Sequence, residues 1–272
     1  MEDYPLSAPG FEAVRRLLHK HTGINLGPQK QAMVRARLIK RLRAHGLTDF
    51  DAYLRMVTGP DSPEWGAFVN ALTTNLTSFF RERHHFEFLA AHYSAHPPVS
   101  GKLQAWSAGC STGEEPYTIA MVMAATFPDC DLRILATDVD TNVLETARRG
   151  VYPEDRVEKL EREWKRFAFL KGTGPHAGKV RVRPQLQGMV EFGILNLLGS
   201  VGWPQPGSKD FIFCRNVMIY FDKPTQKELL RHFLEVLVPG GFLMVGHSEA
   251  LLDASLGFES LGGTIYRKPG AP

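Results

Sequence analysis

The sequence has few cysteines, and they show neither CxxC spacing nor a histidine cluster nearby. Its 272 residues include three cysteines, Cys110, Cys130 and Cys214, and no CxxC pair. Disulfide-rich secreted domains and structural zinc sites depend on closely spaced cysteines or on cysteine and histidine clusters. The pattern therefore predicts no disulfide framework and no metal site, and it indicates a reducing, cytoplasmic environment.

The sequence also lacks an apolar run that could cross a bilayer, which takes about 20 residues. Residues 1–10 show no basic start followed by an apolar stretch, so they do not resemble a secretion signal. We expect no direct membrane insertion. With 43% apolar and 22% charged residues, the chain can bury a sizeable core, and we expect one large domain and one smaller domain.

A glycine-containing turn joins a predicted strand to a predicted helix near the middle of the chain. Residues 103–107 form a short apolar strand, and Gly109 and Gly113 allow a tight turn and a close approach to the backbone. An almost wholly apolar helix follows over 117–127. Such a unit is typical of nucleotide-type cofactor sites. Acidic residues at the start of a helix, where they interact favourably with the helix dipole, give the same local pattern without a cofactor.

A second predicted strand, over 132–137, ends at two acidic residues. It places Asp138 and Asp140 about 25 residues after the turn, where an acidic side chain can accept the hydroxyls of a cofactor ribose. Glu114 and Glu115 stand at the start of the intervening helix, where a pyrophosphate would need free N–H groups. These acids argue against NAD or FAD and favour an uncharged or cationic adenosine cofactor such as S-adenosylmethionine.

The order of the predicted elements favours an α/β fold. We predict further strands over 190–194, 210–214 and 241–245, a helix over 223–237, and a closing hairpin of residues 258–261 and 264–267. A Rossmann-like, mostly parallel sheet that ends in an antiparallel hairpin fits a class I S-adenosylmethionine-dependent methyltransferase better than a dehydrogenase.

The predicted catalytic domain follows a helical domain and a linker helix, and it contains an insertion. A small all-helical domain is predicted over 1–78, followed by a linker helix over 79–98 and the catalytic domain over 99–272. An inserted antiparallel β subdomain over about 155–186 contains two short strands, whose exposed edge can accept a peptide.

Positive charge is concentrated in the N-terminal part of the chain. Between residues 11 and 45, nine lysines and arginines stand against one acid, Glu12. On the helix predicted over 28–45, Lys30, Arg37 and Arg41 share one side, and we expect them to form an outward basic stripe that binds an acidic protein helix. A solvated helix face has the same pattern. No aromatic residue interleaves the stripe, so we expect no nucleic-acid partner.

Five motifs occur in one order along the chain. They are LTTNLTSFFRE at 72–82, STGEEPY at 111–117, ATDVD at 136–140, FCRNVMIYF at 213–221 and GHSE at 246–249. Together they closely resemble the chemotaxis receptor glutamate methyltransferases, the CheR family, and the resemblance extends over nearly the whole chain.

The resemblance implies a reaction and a set of site residues. The methyl group of S-adenosylmethionine is transferred to glutamate side chains on the cytoplasmic helices of bacterial chemoreceptors, leaving methyl esters and S-adenosylhomocysteine, in chemotactic adaptation or related sensory signalling. The implied cofactor contacts are Asn75, Thr77, Arg81, Glu115, Asp138, Asn196, Leu197, Arg215 and Asn216.

The chemistry requires no general base, because a glutamate carboxylate is ionised at neutral pH and is already a nucleophile. We expect Arg81 and Arg215 to orient a carboxylate of cofactor or substrate, and Tyr220 to close the site near the reactive methyl group. A core aromatic residue with a satisfied hydroxyl is the alternative interpretation of Tyr220.

The inserted subdomain indicates a second contact with the receptor. Residues 172–178 resemble the small sheet that binds a C-terminal receptor peptide in part of the family, and Lys171 stands where the nearest relatives are expected to have arginine. We expect a monomer. An RNA methyltransferase would instead show stacking aromatic residues on the basic surface, and an amino-group methylase an Asn-Pro-Pro-Tyr type sequence at 216–219.

Overall fold

A computed structural model describes residues 4–59, 62–250 and 257–270 of the chain. Its helices are α1 (Ala8–Thr22), α2 (Gln31–Ala44), α3 (Phe50–Val57), α4 (Trp65–Leu72), α5 (His84–Ala95), α6 (Glu114–Thr126), α7 (Thr141–Arg149), α8 (Arg162–Ala168), α9 (Pro184–Gln187) and α10 (Lys223–Val236). Its strands are β1 (Lys102–Ala108), β2 (Asp131–Asp138), β3 (Val151–Pro153), β4 (Phe169–Lys171), β5 (Lys179–Val182), β6 (Val190–Ile194), β7 (Lys209–Cys214), β8 (Leu237–Val245), β9 (Glu259–Gly262) and β10 (Ile265–Arg267). Among the described residues, no helix combines the length and the apolar character that a membrane span requires.

The main sheet has seven strands in the order β6-β2-β1-β7-β8-β10-β9. The first five strands of this order pair in parallel, and β10 is antiparallel to both β8 and β9. Separate apolar clusters cover the two faces of the sheet, one around Phe211 and Phe213 and the other around Trp106 and Phe233. The predicted α/β fold with a closing antiparallel hairpin is confirmed.

Strand β8 begins earlier than the predicted start at residue 241. It includes Pro239 and Gly240, which the sequence pattern indicates only as a break after the preceding helix. The register with β7 shifts here, because Lys209 pairs with Leu237 while Phe211 pairs with Phe242. The extra residues therefore form an irregularity, in which a proline that cannot donate to the ladder is tolerated.

The helical domain packs α1 to α4 around its own apolar core. Val34, Leu38 and Leu42 on α2 have no solvent exposure and contact this core, which also includes Phe68 of α4. Their spacing of four residues matches one face of a helix. The apolar side of α2 that the sequence predicts is therefore confirmed.

The side of α2 that carries Arg37 and Arg41 differs from the predicted outward basic stripe. Arg41 donates two hydrogen bonds of 2.7 Å each to the carboxylate of Glu64. Arg37 donates to the carbonyl oxygen of Thr73 at 2.6 Å, at the C-terminal end of α4. These two residues have partners within the helical domain, because α4 packs against α2, and their binding of an acidic helix stays a prediction. Lys30 is exposed.

The inserted subdomain contains three strands instead of the two predicted. Strands β3 and β4 pair antiparallel with β5, which lies between them, and α8 precedes β4. The small sheet begins at Val151, before the predicted boundary near residue 155. β3 and β4 have three residues each, which is too short for an alternating pattern to reveal a strand.

Glu64 is a buried carboxylate within the helical domain. Its side chain is 6% exposed and also accepts a hydrogen bond from the Tyr53 hydroxyl at 2.9 Å, while Nε2 of His45 lies 2.8 Å from Oε2. Burial by itself would raise the pKa of Glu64, but the hydrogen bonds from Arg41, His45 and Tyr53 outweigh burial and lower the pKa from 4.5 to about 2.

We expect Glu64→Gln to lower the free energy of unfolding by about 2 kcal/mol at neutral pH, because Arg41 then lacks an anionic partner. A carboxyl with a lowered folded-state pKa stabilises the fold above its ordinary pKa and loses this contribution as the pH falls, so the difference from wild type should shrink from about pH 5 to about pH 3. Urea unfolding across this pH range measures both effects.

The matched control is Glu12→Gln, which removes an exposed pair with Arg15 on α1. Such a surface pair contributes about 0.5 kcal/mol. Equal losses of stability in the two variants, or a loss in Glu64→Gln that does not change with pH, would contradict the assigned role of Glu64.

Candidate active site

A cavity lies at the carboxyl ends of the parallel strands, beneath the helical domain. Its lining includes these residues singled out in the sequence: Lys30, Asn75, Thr77, Arg81, Glu115, Asp138, Asn196, Leu197, Arg215, Asn216 and Tyr220. Arg37 and Arg41 do not line it. The carboxyl ends of neighbouring parallel strands meet at one edge of a sheet, and open α/β sheets bind their ligands there.

The turn after β1 forms one wall of the cavity and is fixed by Asp138. Gly109 has φ of 86°, and a Cβ atom there would lie 2.4 Å from Cγ2 of Val217, so glycine is required. The main-chain N–H of Ser111 donates to Oδ2 of Asp138 at 2.8 Å, and that of Asp140 donates to Oδ1 at 3.0 Å. Burial raises the pKa of Asp138, and these hydrogen bonds oppose the rise. Each carboxylate oxygen can accept one further hydrogen bond.

Arg215 is a nearly buried part of the cavity wall and lies between two carboxylates. Its side chain is 2% exposed, and its guanidinium nitrogens lie 3.4 Å from Oε2 of Glu82 and 3.3 Å from Oε2 of Glu115. It also donates to the carbonyl oxygen of Arg81. Burial raises the pKa of Glu115, and the charge of Arg215 and a hydrogen bond from Ser107 oppose this. Nε of Arg215 is buried without a hydrogen-bond partner, and direct contact of Arg215 with a ligand carboxylate stays a prediction.

The segment that carries Arg81 has an unusual backbone. Phe80 and Glu82, on either side of Arg81, have φ of 54° and 53°, in the left-handed region that non-glycine residues rarely adopt. Arg81 donates to the carbonyl oxygen of Leu76 at 2.7 Å. Residues persist in such conformations only where the surrounding structure fixes them, and such residues cluster at functional sites. The backbone of this segment thus holds Arg81 at the cavity.

Asp140 joins the helical domain to the sheet, a role that sequence analysis missed. Its Oδ2 accepts hydrogen bonds from the Thr73 hydroxyl at 2.6 Å and from Nδ2 of Asn75 at 2.7 Å. Its Oδ1 caps α7 by accepting from the N–H of Asn142 at 2.9 Å. An acid directly before a helix signals the cap, but no sequence signal indicates the contacts across 67 and 65 residues.

The helical domain forms the other side of the cavity through contacts that the sequence also does not show. The N–H of Asn25 donates to the carbonyl oxygen of Tyr220 at 2.7 Å, and Nδ2 of Asn196 donates to the carbonyl oxygen of His21 at 2.5 Å. Ile24, Asn25 and Met33 join Lys30 in the cavity lining. Two residues of the predicted site, Asn196 and Tyr220, thereby hold the helical domain over the strand ends.

The polar groups that line the cavity fit S-adenosylmethionine. Asp138, at the end of β2, has acceptor capacity for ribose hydroxyls, and Glu115 adds negative charge that suits a cationic cofactor. Oδ1 of Asn216 is buried without a hydrogen-bond partner, which is the state expected of a group that a ligand satisfies. An anionic pyrophosphate would face both carboxylates and fits less well.

Two family models together match most of the chain. Residues 75–267 match the family model described as CheR methyltransferase, SAM binding domain, and residues 9–73 match CheR methyltransferase, all-alpha domain. The chain belongs to the CheR methyltransferase family. It is an S-adenosylmethionine-dependent methyltransferase, and its methylation serves chemotaxis. The predicted family, enzyme class and cofactor are confirmed.

The relatives of this family match nearly the whole chain. A chemotaxis protein methyltransferase of Escherichia coli is 47% identical over 268 residues, which is 97% of this chain and 92% of the relative. One of Klebsiella aerogenes is 47% identical over 96% of this chain and 90% of its own length. Chemotaxis protein methyltransferase 2 of Pseudomonas aeruginosa is 45% identical over 97% and 95%.

We expect Asp138→Ala to raise the Kd for S-adenosylmethionine at least about tenfold, because the ribose loses an acceptor and the turn after β1 loses its anchor. Titration calorimetry measures the Kd. The matched control is Asp129→Ala, which removes an exposed acid from the loop before β2. An unchanged Kd in Asp138→Ala would remove this residue from the cofactor site.

Proposed function

We propose that this chain transfers the methyl group of S-adenosylmethionine to glutamate side chains on the cytoplasmic helices of chemoreceptors, in chemotactic adaptation or a related sensory response. The products are glutamate methyl esters and S-adenosylhomocysteine. The observation that supports this most strongly is a single cavity whose lining combines the nine implied cofactor residues with Lys30 of the helical domain. The helical domain thereby provides a place where a substrate helix can meet the methyl group.

The reaction depends on alignment and on exclusion of water. The bound cofactor supplies a methyl group on a positively charged sulfur. An oxygen of the ionised substrate carboxylate forms a bond to the methyl carbon as the carbon–sulfur bond breaks, and the electron pair of that bond goes to sulfur. No proton is transferred, so the chain needs positioning residues and a closed site in place of a general base.

The positioning roles follow from the contacts around the cavity. Asp138 accepts the ribose hydroxyls, and Glu115 lies where it favours the positive charge of the cofactor. Arg81 orients a carboxylate, and Arg215 supports Arg81 by donating to its carbonyl oxygen. Tyr220 closes the site, and the hydrogen bond from Asn25 to its carbonyl oxygen fixes its backbone.

Lys30 is the residue we propose to meet the acidic receptor helix directly. It is exposed and lines the cavity, so it can attract the negative charge that a glutamate-bearing helix presents. Arg37 and Arg41 contribute to substrate binding through the helical domain. Their bonds to Thr73 and Glu64 fix α4 and the segment after it, which reaches the cavity at Asn75.

The inserted subdomain offers a second receptor contact, with a C-terminal receptor peptide. Strand β4 is an edge of the small sheet, and Leu170 within it and Phe167 shortly before it are each 41% exposed. A peptide that pairs with this edge would hold the enzyme near many receptor glutamates and raise their effective concentration. Lys171 pairs with Glu154 at 2.7 Å across this sheet. We propose that the enzyme acts as a cytoplasmic monomer, with no nucleic-acid partner and no membrane insertion.

The deciding experiment is the transfer of radiolabelled methyl from S-adenosylmethionine to receptor cytoplasmic fragments, with RNA as a parallel acceptor. Mild alkali releases a carboxyl methyl ester as methanol, so we expect alkali-labile label on the receptor. Fragments with and without the C-terminal tail separate the contribution of the tether. Alkali-stable label, or label on RNA, would contradict the proposed substrate.

We expect Lys30→Glu to raise the KM for the receptor fragment about tenfold, because a repulsive charge then faces the acidic helix. The KM for S-adenosylmethionine should stay within about threefold, since the ribose contacts are intact. Lys40→Glu makes the same change on an exposed part of α2 outside the cavity lining and serves as control. Equal effects of the two variants would exclude a local contact at Lys30.

A further inference from the structure

Glu249, the acid of the GHSE motif, lies directly behind the cavity wall. It ends a short helical turn, His247–Glu249, that follows β8, and it is 8% exposed. Glu249 does not itself line the cavity. Burying a carboxylate is costly unless it is fully hydrogen-bonded, so the location requires specific partners.

The partners of Glu249 are main-chain N–H groups of the loop that carries the cofactor residues. Its Oε2 accepts from the N–H of Asn216 at 2.6 Å and of Gly246 at 2.7 Å. Its Oε1 accepts from the N–H of Ile219 at 3.0 Å. Burial raises the pKa of Glu249, and these hydrogen bonds oppose the rise. One carboxylate thus joins the end of β8 to the loop after β7.

The loop that Glu249 holds needs such support. Asn216 has φ of 61°, a left-handed conformation that costs free energy in a non-glycine residue. Its side-chain Oδ1 is buried without a partner. Val217 and Tyr220, on either side of Ile219, also line the cavity. The three hydrogen bonds of Glu249 therefore set the backbone from which these side chains reach the site.

The packing around Gly246 shows how closely this junction is built. A Cβ atom at Gly246 would lie 2.4 Å from Nδ2 of Asn216 and 2.8 Å from Oε2 of Glu249. Both distances are shorter than real Cβ contacts, so a larger residue would displace one of the two side chains. A substitution at Gly246 therefore perturbs the same junction from the other side.

We propose that Glu249 is a positioning residue of the methyl-transfer site, which holds Asn216 and the turn up to Tyr220 in the geometry that binds the cofactor. The inference rests on the proposed placement of the cofactor in this cavity. Glutamine has nearly the same shape but presents an NH2 donor at one of the two oxygen positions. Glutamine can accept hydrogen bonds only at its remaining oxygen, because all three partners are N–H donors. The partners at the other position then face an NH2 group.

The test measures the Kd for S-adenosylmethionine in Glu249→Gln, with Glu228→Gln on the exposed side of α10 as the matched control. We expect Glu249→Gln to raise the Kd about tenfold, in line with the loss of a hydrogen bond to a charged acceptor, and Glu228→Gln to leave it unchanged. Melting temperatures of all variants separate binding from folding.

A double-mutant cycle distinguishes positioning from a general structural role. Asn216→Gly removes the side chain and accepts the positive φ. In this background Glu249→Gln should raise the Kd by a smaller factor than in the wild-type chain, because the effect that passes through the Asn216 side chain is already lost and only the effect on the turn up to Tyr220 is left. Additive effects, or an unchanged Kd in Glu249→Gln alone, would overturn the inference.

Misfolding of Glu249→Gln and failure of the cofactor placement can each be distinguished from failure of the inference. If Glu249→Gln does not fold, Gly246→Ala tests the same junction: a raised Kd supports the inference, and wild-type affinity overturns it. If the wild-type chain does not bind S-adenosylmethionine, the proposed cofactor placement fails independently of Glu249.

Discussion

Buried carboxylates accept hydrogen bonds from main-chain N–H groups and so hold the loops around the cavity. The geometry of the site depends on these hydrogen bonds. Asp138 binds the N–H of Ser111, Asp140 caps α7, and Glu249 binds the loop after β7. Asp138 and Glu249 each connect segments that follow different strands, and Asp140 connects the segment after β2 to Thr73 and Asn75. Hydrogen bonds to a charged acceptor are stronger than neutral ones, and leaving such an acceptor buried without donors is costly. The loops are therefore held in one arrangement although they lie at the open edge of the sheet.

A nearly buried group of charges forms part of the cavity wall. Arg215 is placed between Glu82 and Glu115 and donates to the carbonyl oxygen of Arg81. The left-handed backbone on both sides of Arg81 is thereby supported from a buried group. Such preorganisation suits a reaction in which no proton moves, because rate then depends on how well the two reactants are aligned.

The helical domain contributes to the site mainly through structure. Two of the three cations on one side of the helix predicted over 28–45, Arg37 and Arg41, are bound within the domain, where they fix α4. The chain from α4 then passes Asp140 and reaches the cavity at Asn75. This arrangement leaves Lys30 at the cavity, and it gives the domain its function of covering the strand ends.

The sequence by itself determined the local features and the family. The positive φ of Gly109 and Gly113, the apolar face of α2 and the acid at the end of β2 follow from residue types at short spacing. Eight predicted site residues lie in the five motifs, Asn196 and Leu197 follow from the wider family resemblance, and Lys30 follows from the charge pattern; all eleven line one cavity. The tertiary structure alone decided the partners of Arg37, Arg41 and Arg215, the roles of Asp140 and Glu249, and the third strand of the insertion. These depend on hydrogen bonds between residues far apart in sequence, such as Arg41 with Glu64 at a separation of 23 and Asn216 with Glu249 at 33. Spacing along the chain carries no information about such contacts, because only the packing of whole elements brings the groups together.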